Sequence, residues 1–590
     1  MGTLRHILVA CFLIALVIAG VFAIGLWNFR TRALYVKDHA RMTLTDAADA
    51  MKAADPGRAG LYLSTIRDQV RELNATLGVW RRFVPFLDGA ATKLTAAQGL
   101  ADASVEVAND LDFLKRDGAR LMLNRKGDEF LKALARLREN IAKIAPAANK
   151  EEAYAALAAI DAASSWLGQN DPQNVLVLFQ NPSEIRPGGG FLGSFAHLTL
   201  DHASLTNLEV QDIYDPDGQM VKKIIPPVPL QRLTPNWGAR DANWFPDYPA
   251  SAKKVAQFLE DSRIFRDRNI RFSGAIAINV SVLKDILEIT GPLDIPQPDG
   301  SVMTVSADTF LAELQNDVET KQSKGVLKQA TPALFAKLDT LGDAEKKALA
   351  ERVAGRFANK DVMAHFADPI LESFVRRMGA AGELYPTPPD FAGGYLSVAN
   401  ANIAGGKADA YTAQSIALDE TVNRDGTIAD ALTITRTHRG DTRTEPFYNV
   451  KNRTYVQILT VPGTELGSFE GGYSRDIKPT VDYAKAGYAI DPDLMGDPGK
   501  RIFPTWLDLD PGTAKTIVAK YARDAKLAFD APETPYRFVF DKQSGVDGPF
   551  DLALHAPAGM LWKETGKGVF EYHTDNAPAR IILDLTLTRG

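Results

Sequence analysis

A run of three glycines beside a charged pair is the first place where this sequence could bind an anion. Gly188, Gly189 and Gly190 follow Glu184 and Arg186 in the stretch NPSEIRPGGGFLGS. Glycine permits positive φ and close backbone approach, and successive backbone amides can form an anion-binding concavity. Arg186 adds a planar cationic fork that suits phosphate. A tight connection between two strands, with Arg186 paired to Glu184, explains the same residues and is favoured by composition alone.

Closely spaced carboxylates form a second candidate site, in the stretch QDIYDPDGQ. Asp212, Asp215 and Asp217 lie at the end of a predicted strand, and carboxylate oxygens on a loop suit Mg²⁺ or Ca²⁺. Asp212 and Asp215, with Asp241 from a later segment, are the predicted metal ligands, and Mg²⁺ is the expected ion if a cofactor is used. Asp-Pro-Asp-Gly is also an ordinary turn sequence, and the turn is the favoured interpretation.

A third candidate lies in the stretch RDANWFPDYP, which combines a cation, an amide and an aromatic ring in Arg240, Asn243 and Trp244. Sites for sugars or lipid phosphates use this mixture of groups. The stretch could equally cap the following helix, with Asp247 or Tyr248 near the helix start. The sequence contains no Walker A motif, nucleophile elbow, HExxH motif or dinucleotide-binding fingerprint, so no catalytic residue is assigned.

The elements that must position these residues begin after an apolar N-terminus. The stretch ILVACFLIALVIAGVFAIGLW, from Ile7 to Trp27, runs for about 21 residues without a charge, enough to span a hydrocarbon core as a helix. No convincing cleavage site follows, which predicts an uncleaved transmembrane signal-anchor over residues 1–30. Taken alone, Arg30, Arg32 and Lys37 would favour a cytoplasmic body. Long domains can translocate regardless of such charges, so the charges do not decide the orientation of the helix.

Three further regions are predicted from hydrophobic periodicity. Residues 31–170 show apolar side chains at spacings of three and four, which predicts a helical-bundle stalk of four or five helices, with one break near Gly118. Residues 171–425 alternate strand-like and helix-like segments and predict a central α/β domain. This domain includes or adjoins a long helical stretch from Ala307 to about Gly379. Residues 426–590 alternate in period two and predict a C-terminal β-sandwich-like domain.

Composition limits the class of protein. A chain of 590 residues is too long for one hydrophobic core, so a multidomain α+β fold is expected. The formal net charge of −6 and the lack of a basic stripe argue against nucleic-acid binding. The single cysteine excludes an intramolecular disulfide framework and a cysteine-based zinc site.

Several stretches together resemble the bacterial family of unknown function DUF4012. They are VLVLFQNPSEIRPGGGFLGSF, RDANWFPDYPASA and AIAINVSVLKDILEITGPLDIP, with YNVKNRTYVQILTVPGTEL and PYRFVFDKQSGVDGPFDLALHAPAG near the C-terminus. The resemblance covers most of the chain after about residue 30. It implies one N-terminal membrane helix and an association with cell-surface polysaccharide. We therefore expect a single-pass protein of the cytoplasmic membrane whose body lies outside the cytoplasm.

More distantly, the order of elements is similar to the LytR–CpsA–Psr phosphotransferases. Those proteins attach lipid-linked glycopolymers to the wall, using arginines on a pyrophosphate and aspartates on Mg²⁺. Arg186 matches their first arginine motif, but Gly188 stands where an aspartate is expected. Their second motif falls near Gln211 to Asp215, where no arginine is present, and Asn279 stands where the DUF4012 family often carries aspartate. The resemblance implies a similar central fold, while the departures weigh against phosphotransfer.

Two hypotheses follow for the function. In one, an enzyme binds a polyprenyl-pyrophosphate-linked glycan through Arg186 and Arg240, an aspartate pair holds Mg²⁺, and a sugar hydroxyl attacks. In the other, which we favour, a non-catalytic envelope protein binds or organises surface polysaccharide, a lipid-linked glycan or a protein partner. We then favour a glycine loop whose backbone approaches an anionic ligand closely. The family resemblance supports this interpretation more than the glycines themselves do.

Overall fold

The computed structural model describes residues 2–53, 55–82, 87–169, 171–296, 300–310, 330, 333–334, 336–338, 340–388, 390–494 and 499–590. The chain is a mixed α+β protein with a helical N-terminal region and a β-rich C-terminal region. It divides into two compact units. The first comprises Met1–Asp171 with Asp201–Leu205, and the second comprises Pro172–Leu200 with Thr206–Gly590.

The first unit contains five helices among its described residues. Apolar residues at helical spacing form its core, in which Ile66, Val70 and Leu73 pack with Val36. The second helix begins at Asp55, whose carboxylate accepts the N–H of Arg58 at 3.1 Å. The helices are α1 (Gly2–Lys52), α2 (Pro56–Arg81), α3 (Asp88–Leu123), α4 (Gly127–Ile144) and α5 (Lys150–Leu167).

The predicted break near Gly118 is wrong, because α3 continues through this residue to Leu123. A Cβ atom at Gly118 would lie 3.1 Å from the ring of Phe130 in α4. The glycine therefore allows two helices to approach closely, which costs some helix propensity but does not end the helix.

The predicted membrane segment, Ile7 to Trp27, forms part of α1, but the side chains of residues 2–23 lie outside the described part of the structure. Within the residues that are described, no helix has both the length and the apolar content needed to cross a bilayer. The membrane anchor therefore stays a prediction from the sequence.

The second unit contains a five-stranded sheet with the order β3-β2-β1-β4-β7. The central strand β1 runs parallel to β4 and antiparallel to β2, and β4 runs antiparallel to β7. A separate hairpin, β5–β6, follows β4. The strands are β1 (Gln173–Arg186), β2 (Gly189–Asp201), β3 (Ser204–Asp212), β4 (Gly274–Asn279), β5 (Leu293–Pro296), β6 (Val302–Val305) and β7 (Val362–Phe366).

The longer helices described beside this sheet are α6 (Tyr248–Asp261), α7 (Val280–Thr290), α8 (Asp343–Ala358) and α9 (Pro369–Arg377). Asp247 caps α6, since its carboxylate accepts the N–H of Ala250 at 3.1 Å, which confirms the capping interpretation for this residue. The stretch from Ala307 to Gly379 is not wholly helical, because β7 lies inside it. A buried run of five residues is too short for periodicity to identify as a strand. Residues 311–329 of this stretch lie outside the described residues.

The C-terminal region is a β-sandwich of two six-stranded sheets. Their orders are β12-β14-β10-β9-β16-β18 and β13-β11-β8-β15-β19-β17, and residues of both sheets form one apolar core. The strands are β8 (Gly394–Asn402), β9 (Thr412–Val422), β10 (Thr427–His438), β11 (Asn452–Thr460), β12 (Glu465–Glu470), β13 (Arg501–Leu509), β14 (Ala514–Asp524), β15 (Glu533–Asp541), β16 (Phe550–His555), β17 (Met560–Trp562), β18 (Val569–Thr574) and β19 (Arg580–Arg589).

The sandwich begins earlier than the predicted boundary at residue 426, because β8 and β9 belong to its sheets. Every residue of β8 is buried, so this strand lacks the alternation on which the boundary was based. The sandwich also packs against the central sheet, since Ala401, Ile403 and Trp506 share an apolar core with Trp237 and Phe258.

Candidate functional site

The triple glycine forms the tip of the hairpin between β1 and β2. Arg186 at the end of β1 pairs with Gly189 at the start of β2, so most of the predicted loop is strand. Gly189 has a φ of 135°, a conformation that side-chain-bearing residues rarely adopt. All three glycines are buried. The tip of the hairpin is therefore enclosed by the protein itself.

The glycines are required because neighbouring atoms fill the space that side chains would need. A Cβ atom at Gly188 would lie 2.1 Å from Oδ1 of Asn243, and one at Gly190 would lie 2.6 Å from the carbonyl carbon of Asn181. Asn243 holds the turn through two hydrogen bonds. Its side-chain Nδ2 donates to the carbonyl of Gly190 at 2.8 Å, and its backbone carbonyl accepts the N–H of Gly188 at 3.1 Å. These contacts account for the glycines structurally, and their anion-binding role stays a prediction.

Arg186 is surrounded by protein groups and only 2% exposed. Its Nη2 lies 3.0 Å from Oε1 of Glu184 and 3.2 Å from Oδ1 of Asp241. Its Nη1 donates to the carbonyl of Asn402, in the sandwich, at 2.8 Å. Burial lowers the pKa of Arg186, but the two carboxylates outweigh burial and raise it. Arg186 is therefore a charged link between the central sheet and the sandwich.

Arg240 is the arginine that reaches the surface, with 27% of its side chain exposed. Its Nε donates to Oδ2 of Asp241 at 3.1 Å. Its guanidinium carbon lies 5.0 Å from the ring centre of Tyr214, a residue that is 45% exposed. The two terminal nitrogens of Arg240 have no hydrogen-bond partner among the described residues. They are thus available to an external acceptor.

Asp217 fixes the backbone on which Arg240 is carried. Its carboxylate accepts the N–H of Ala239 at 2.6 Å and that of Arg240 at 3.3 Å. Burial raises the pKa of Asp217 to about 6, although these N–H groups and the Arg240 charge act in the opposite direction. Sequence analysis placed Asp217 in an acidic turn and missed this role, because its partners come from a segment 22 residues away.

We call Glu184, Arg186, Asp217, Arg240 and Asp241 the charge cluster. It unites residues from all three stretches that the sequence singled out. Burial raises the pKa of Glu184, against the lowering effect of Arg186 and of a nearby lysine. The cluster contains two arginines and three carboxylates, so its formal charges nearly cancel. Only Arg240 and, to a similar degree, Glu184 present charge to the solvent.

The predicted metal ligands are not gathered around a common point. Asp241 faces two arginines, the carboxylate of Asp212 accepts the N–H of Tyr214 at 3.0 Å, and Asp215 is exposed. Within the described part of the chain, no three aspartate, glutamate, histidine or cysteine side chains are placed to hold a metal ion. The Mg²⁺ assignment stays a prediction without geometric support.

Trp244 does not belong to the surface of the site. Its ring is buried and stacks on Tyr455 of the sandwich, with centres 6.2 Å apart and planes inclined by 17°. The exposed aromatic ring at the site is instead Tyr214. Sequence analysis quoted this tyrosine but could not select it, because exposure depends on how distant segments pack.

A comparison with protein-family models confirms the family resemblance over part of the chain. Residues 170–318 match the family described as "Protein of unknown function (DUF4012)". All members of the charge cluster, together with Tyr214 and the triple glycine, lie inside the DUF4012 segment.

Solved structures similar to this chain include TagV of Bacillus subtilis, at 14% identity over 36% of this chain and 82% of that chain, with a TM-score of 0.24. The protein described as the transcriptional regulator yvhJ from Bacillus subtilis is 12% identical over 36% and 77%, with a TM-score of 0.22. Protein gbs0355 from Streptococcus agalactiae is 12% identical over 37% and 76%, with a TM-score of 0.24. No curated protein matches the chain. Similarity at this level leaves the function of the DUF4012 segment to be argued from its site.

Proposed function

We propose that this chain is a cell-envelope protein whose DUF4012 segment binds an anionic glycan without transforming it. The phosphate or carboxylate of the ligand contacts Arg240, and a sugar ring lies against Tyr214. The phosphate of a lipid-linked glycan and the uronic acid of a surface polysaccharide share this chemistry. Arg240 and Tyr214 thus supply a cation and an aromatic ring at the same place on the surface.

The observation that carries the proposal is the pairing of the outward Arg240 guanidinium with the exposed ring of Tyr214. Asp241 holds Nε of Arg240 in place, so little side-chain freedom is lost when the terminal nitrogens bind an anion. A planar guanidinium accepts a carboxylate or phosphate in bidentate geometry. The amphipathic ring of Tyr214 offers a flat apolar surface beside a polar group.

Two observations favour binding over phosphotransfer. Arg186, the residue that resembles the first arginine of the phosphotransferases, is buried and directs Nη1 and Nη2 to Glu184, Asp241 and backbone carbonyls, although its Nε has no partner among the described residues. In the part of the chain that the structure describes, no three acidic, histidine or cysteine side chains are placed to hold the metal that such a transfer would use. A phosphotransferase would need both an open arginine and a metal to stabilise the developing charge.

We expect the full-length chain to bind a uronic-acid oligosaccharide and Arg240→Ala to lose about 10- to 100-fold in affinity. This range follows from the roughly 1.5–3 kcal/mol of a charge-assisted hydrogen-bonding contact. Tyr214→Ala should lose less, because stacking is the weaker contribution. Titration calorimetry with the oligosaccharide, a polyprenyl phosphate in micelles and a neutral oligosaccharide measures the three affinities and separates the two anionic sources.

The matched control is Arg271→Ala, because Arg271 is an exposed arginine of the same unit that pairs with Glu260 at 2.9 Å. It removes the same charge from a place outside the charge cluster and should bind like the wild type. Equal losses of affinity in Arg240→Ala and Arg271→Ala would show that the effect comes from net charge alone. No binding of either anionic ligand to the wild type would refute the proposal.

Affinity for the same oligosaccharide should rise as the pH falls through about 6. Asp217 is ionised above its pKa of about 6 and neutral below it, so acidification removes a negative charge beside Arg240. The ligand carboxylates remain mostly ionised between about pH 5 and about pH 7.5. Removing one repulsive charge of roughly 1 kcal/mol should tighten binding about fivefold. Asp217→Asn should lose most of this pH dependence, and an unchanged slope would contradict the assignment.

We further propose that α1 anchors the chain in the cytoplasmic membrane and that the rest of the protein lies outside the cytoplasm. The uncharged stretch from Ile7 to Trp27 supports the anchor, and the DUF4012 resemblance supports the orientation. Exposure of the body to protease in intact spheroplasts tests this topology. A body that is digested only after lysis would show that it lies in the cytoplasm, which would contradict the proposed orientation.

A further inference from the structure

Two carboxyl groups face each other inside the β-sandwich, away from the charge cluster. Glu420 on β9 and Asp430 on β10 occupy directly opposed positions in the antiparallel pair. Both side chains are buried on the face that meets the other sheet. Opposed residues on one face of an antiparallel pair have Cβ atoms about 5 Å apart, and like charges there destabilise the sheet.

The space around this pair is shaped for a carboxyl group. The hydroxyl of Tyr536, on the opposite sheet, donates to Glu420. A Cβ atom at Gly394 of β8 would lie 2.4 Å from Oε2 of Glu420, so a glycine leaves the room that the glutamate occupies. The pair therefore links the two sheets at a position where the surrounding core is apolar.

The other charged and titratable groups that face the pair include one cation, Arg523, which lowers the pKa of both carboxyls but does not cancel the effect of burial. Tyr521 and Arg523 of β14 and Tyr536 of β15 are these groups, while β8 contributes only Gly394. Arg523 forms no salt bridge with either carboxyl among the described residues, and its Nη1 is directed to the carbonyl of Phe391 at 3.5 Å. The hydroxyl of Tyr521 likewise has no hydrogen-bond partner in the described part of the chain.

One oxygen of the pair is left without any donor. Oδ1 of Asp430 is buried and has no hydrogen-bond partner among the residues that the structure describes. An anionic oxygen in this position would lose hydration without compensation, whereas the carbonyl oxygen of a neutral carboxyl loses much less. Burial and the neighbouring Glu420 raise the pKa of Asp430 well above its ordinary value. Burial also raises the pKa of Glu420, while its hydrogen bonds to Tyr536 and Asp430 lower it.

We propose that Glu420 and Asp430 share one proton in the folded protein, carried by Asp430 and donated to Glu420, and that the sandwich loosens when this proton is lost. The pair therefore stabilises the packing of β9 and β10 against the opposite sheet only while the proton is bound. This proposal does not depend on ligand binding at the charge cluster.

The direction of the pH effect follows from proton linkage. Because the folded pKa of Asp430 is raised, the folded state holds one more proton than the unfolded state above the unfolded pKa of about 4. The stabilisation is complete below that pH and is lost as the pH rises through the folded pKa. Within this window the opening equilibrium should increase about tenfold per pH unit.

Hydrogen exchange of the full-length chain, read by mass spectrometry in peptides from residues 412–438, tests the proposal. Asp430→Asn keeps a donor toward Glu420 and is neutral at every pH. Comparing wild type and variant at each pH cancels the intrinsic exchange rate. The ratio of wild-type to variant exchange should rise by about tenfold per pH unit inside the window, and a ratio that does not change with pH would overturn the proposal.

Asp419→Asn is the matched control, because Asp419 precedes Glu420 and lies on the exposed side, 2.9 Å from His555. Its exchange should follow the wild type at every pH. Infrared difference spectra supply a second test, on folded wild type and on Asp430→Asn, which lacks the carboxyl that carries the proton. A protonated-carboxyl band present at neutral pH and lost on alkalinisation supports the shared proton. Absence of this band in the wild type at neutral pH would overturn the proposal.

Discussion

Arg186→Met is expected to lower the free energy of unfolding of the second unit by about 3–5 kcal/mol, because it removes a buried cation from between the half-buried Glu184 and the buried Asp241, which keeps only Arg240 as an ionic partner. The lost contacts are the ion pairs with Glu184 and Asp241 and the hydrogen bond to the carbonyl of Asn402. Methionine replaces the volume but none of the donors. Urea denaturation of the full-length chain, with the sandwich and central sheet followed by tryptophan fluorescence, measures the change.

Two further variants separate the buried charge from the loss of an arginine as such. Arg271→Met removes an exposed arginine of the same unit and should change stability by less than about 1 kcal/mol. Neutralising the partners, as in the triple variant Arg186→Met with Glu184→Gln and Asp241→Asn, should recover part of the loss. An Arg186→Met protein that is as stable as the wild type but fails to bind ligand would instead assign Arg186 to the binding site.

Lys254→Met should destabilise the second unit by a similar amount, about 3–5 kcal/mol. Lys254 lies on α6 and is 2% exposed, with Nζ 2.8 Å from both carboxylate oxygens of the equally buried Asp491. Nζ also lies 5.8 Å from the ring centre of Trp237. Removing the ammonium leaves Asp491 buried and unpaired, in the segment between β12 and β13. A shift in the urea midpoint at unchanged slope reports this loss.

Lys253→Met is the control for this prediction, because the neighbouring Lys253 is exposed and the substitution is chemically identical. It should leave the midpoint nearly unchanged. The double variant Lys254→Met with Asp491→Asn should regain part of the stability by removing the buried charge. A double variant that is less stable than Lys254→Met alone would show that Asp491 stabilises the segment through other contacts.

The sequence determined the elements whose signals are local. Tyr248–Asp261 and Val280–Thr290 carry apolar residues at helical spacing, and α6 and α7 have these bounds in the structure, since apolar residues that recur every three or four positions are sufficient to identify a helix. The five-residue strand β7 and the wholly buried strand β8 were missed, because neither shows a periodic pattern.

The candidate site shows the same division between local signals and packing. Residue type alone selected Arg186, Arg240 and Asp241, and the structure brings all three together. Trp244 was the aromatic residue predicted to bind ligand, but its ring stacks inside the unit, whereas the ring of Tyr214 is exposed. Asp217 became a member of the charge cluster through hydrogen bonds to a segment distant in sequence.

The sequence by itself therefore determined the multidomain α+β class, the match of residues 170–318 to the DUF4012 family and most of the charged residues at the site. Only the tertiary structure decided which of these residues face solvent. Arg186 and Arg240 have the same chemistry, and their environments differ because the sandwich covers Arg186, while nothing among the described residues pairs with the terminal nitrogens of Arg240. Burial and partner geometry arise from contacts between residues far apart in the chain, and a single sequence does not encode them in any local pattern.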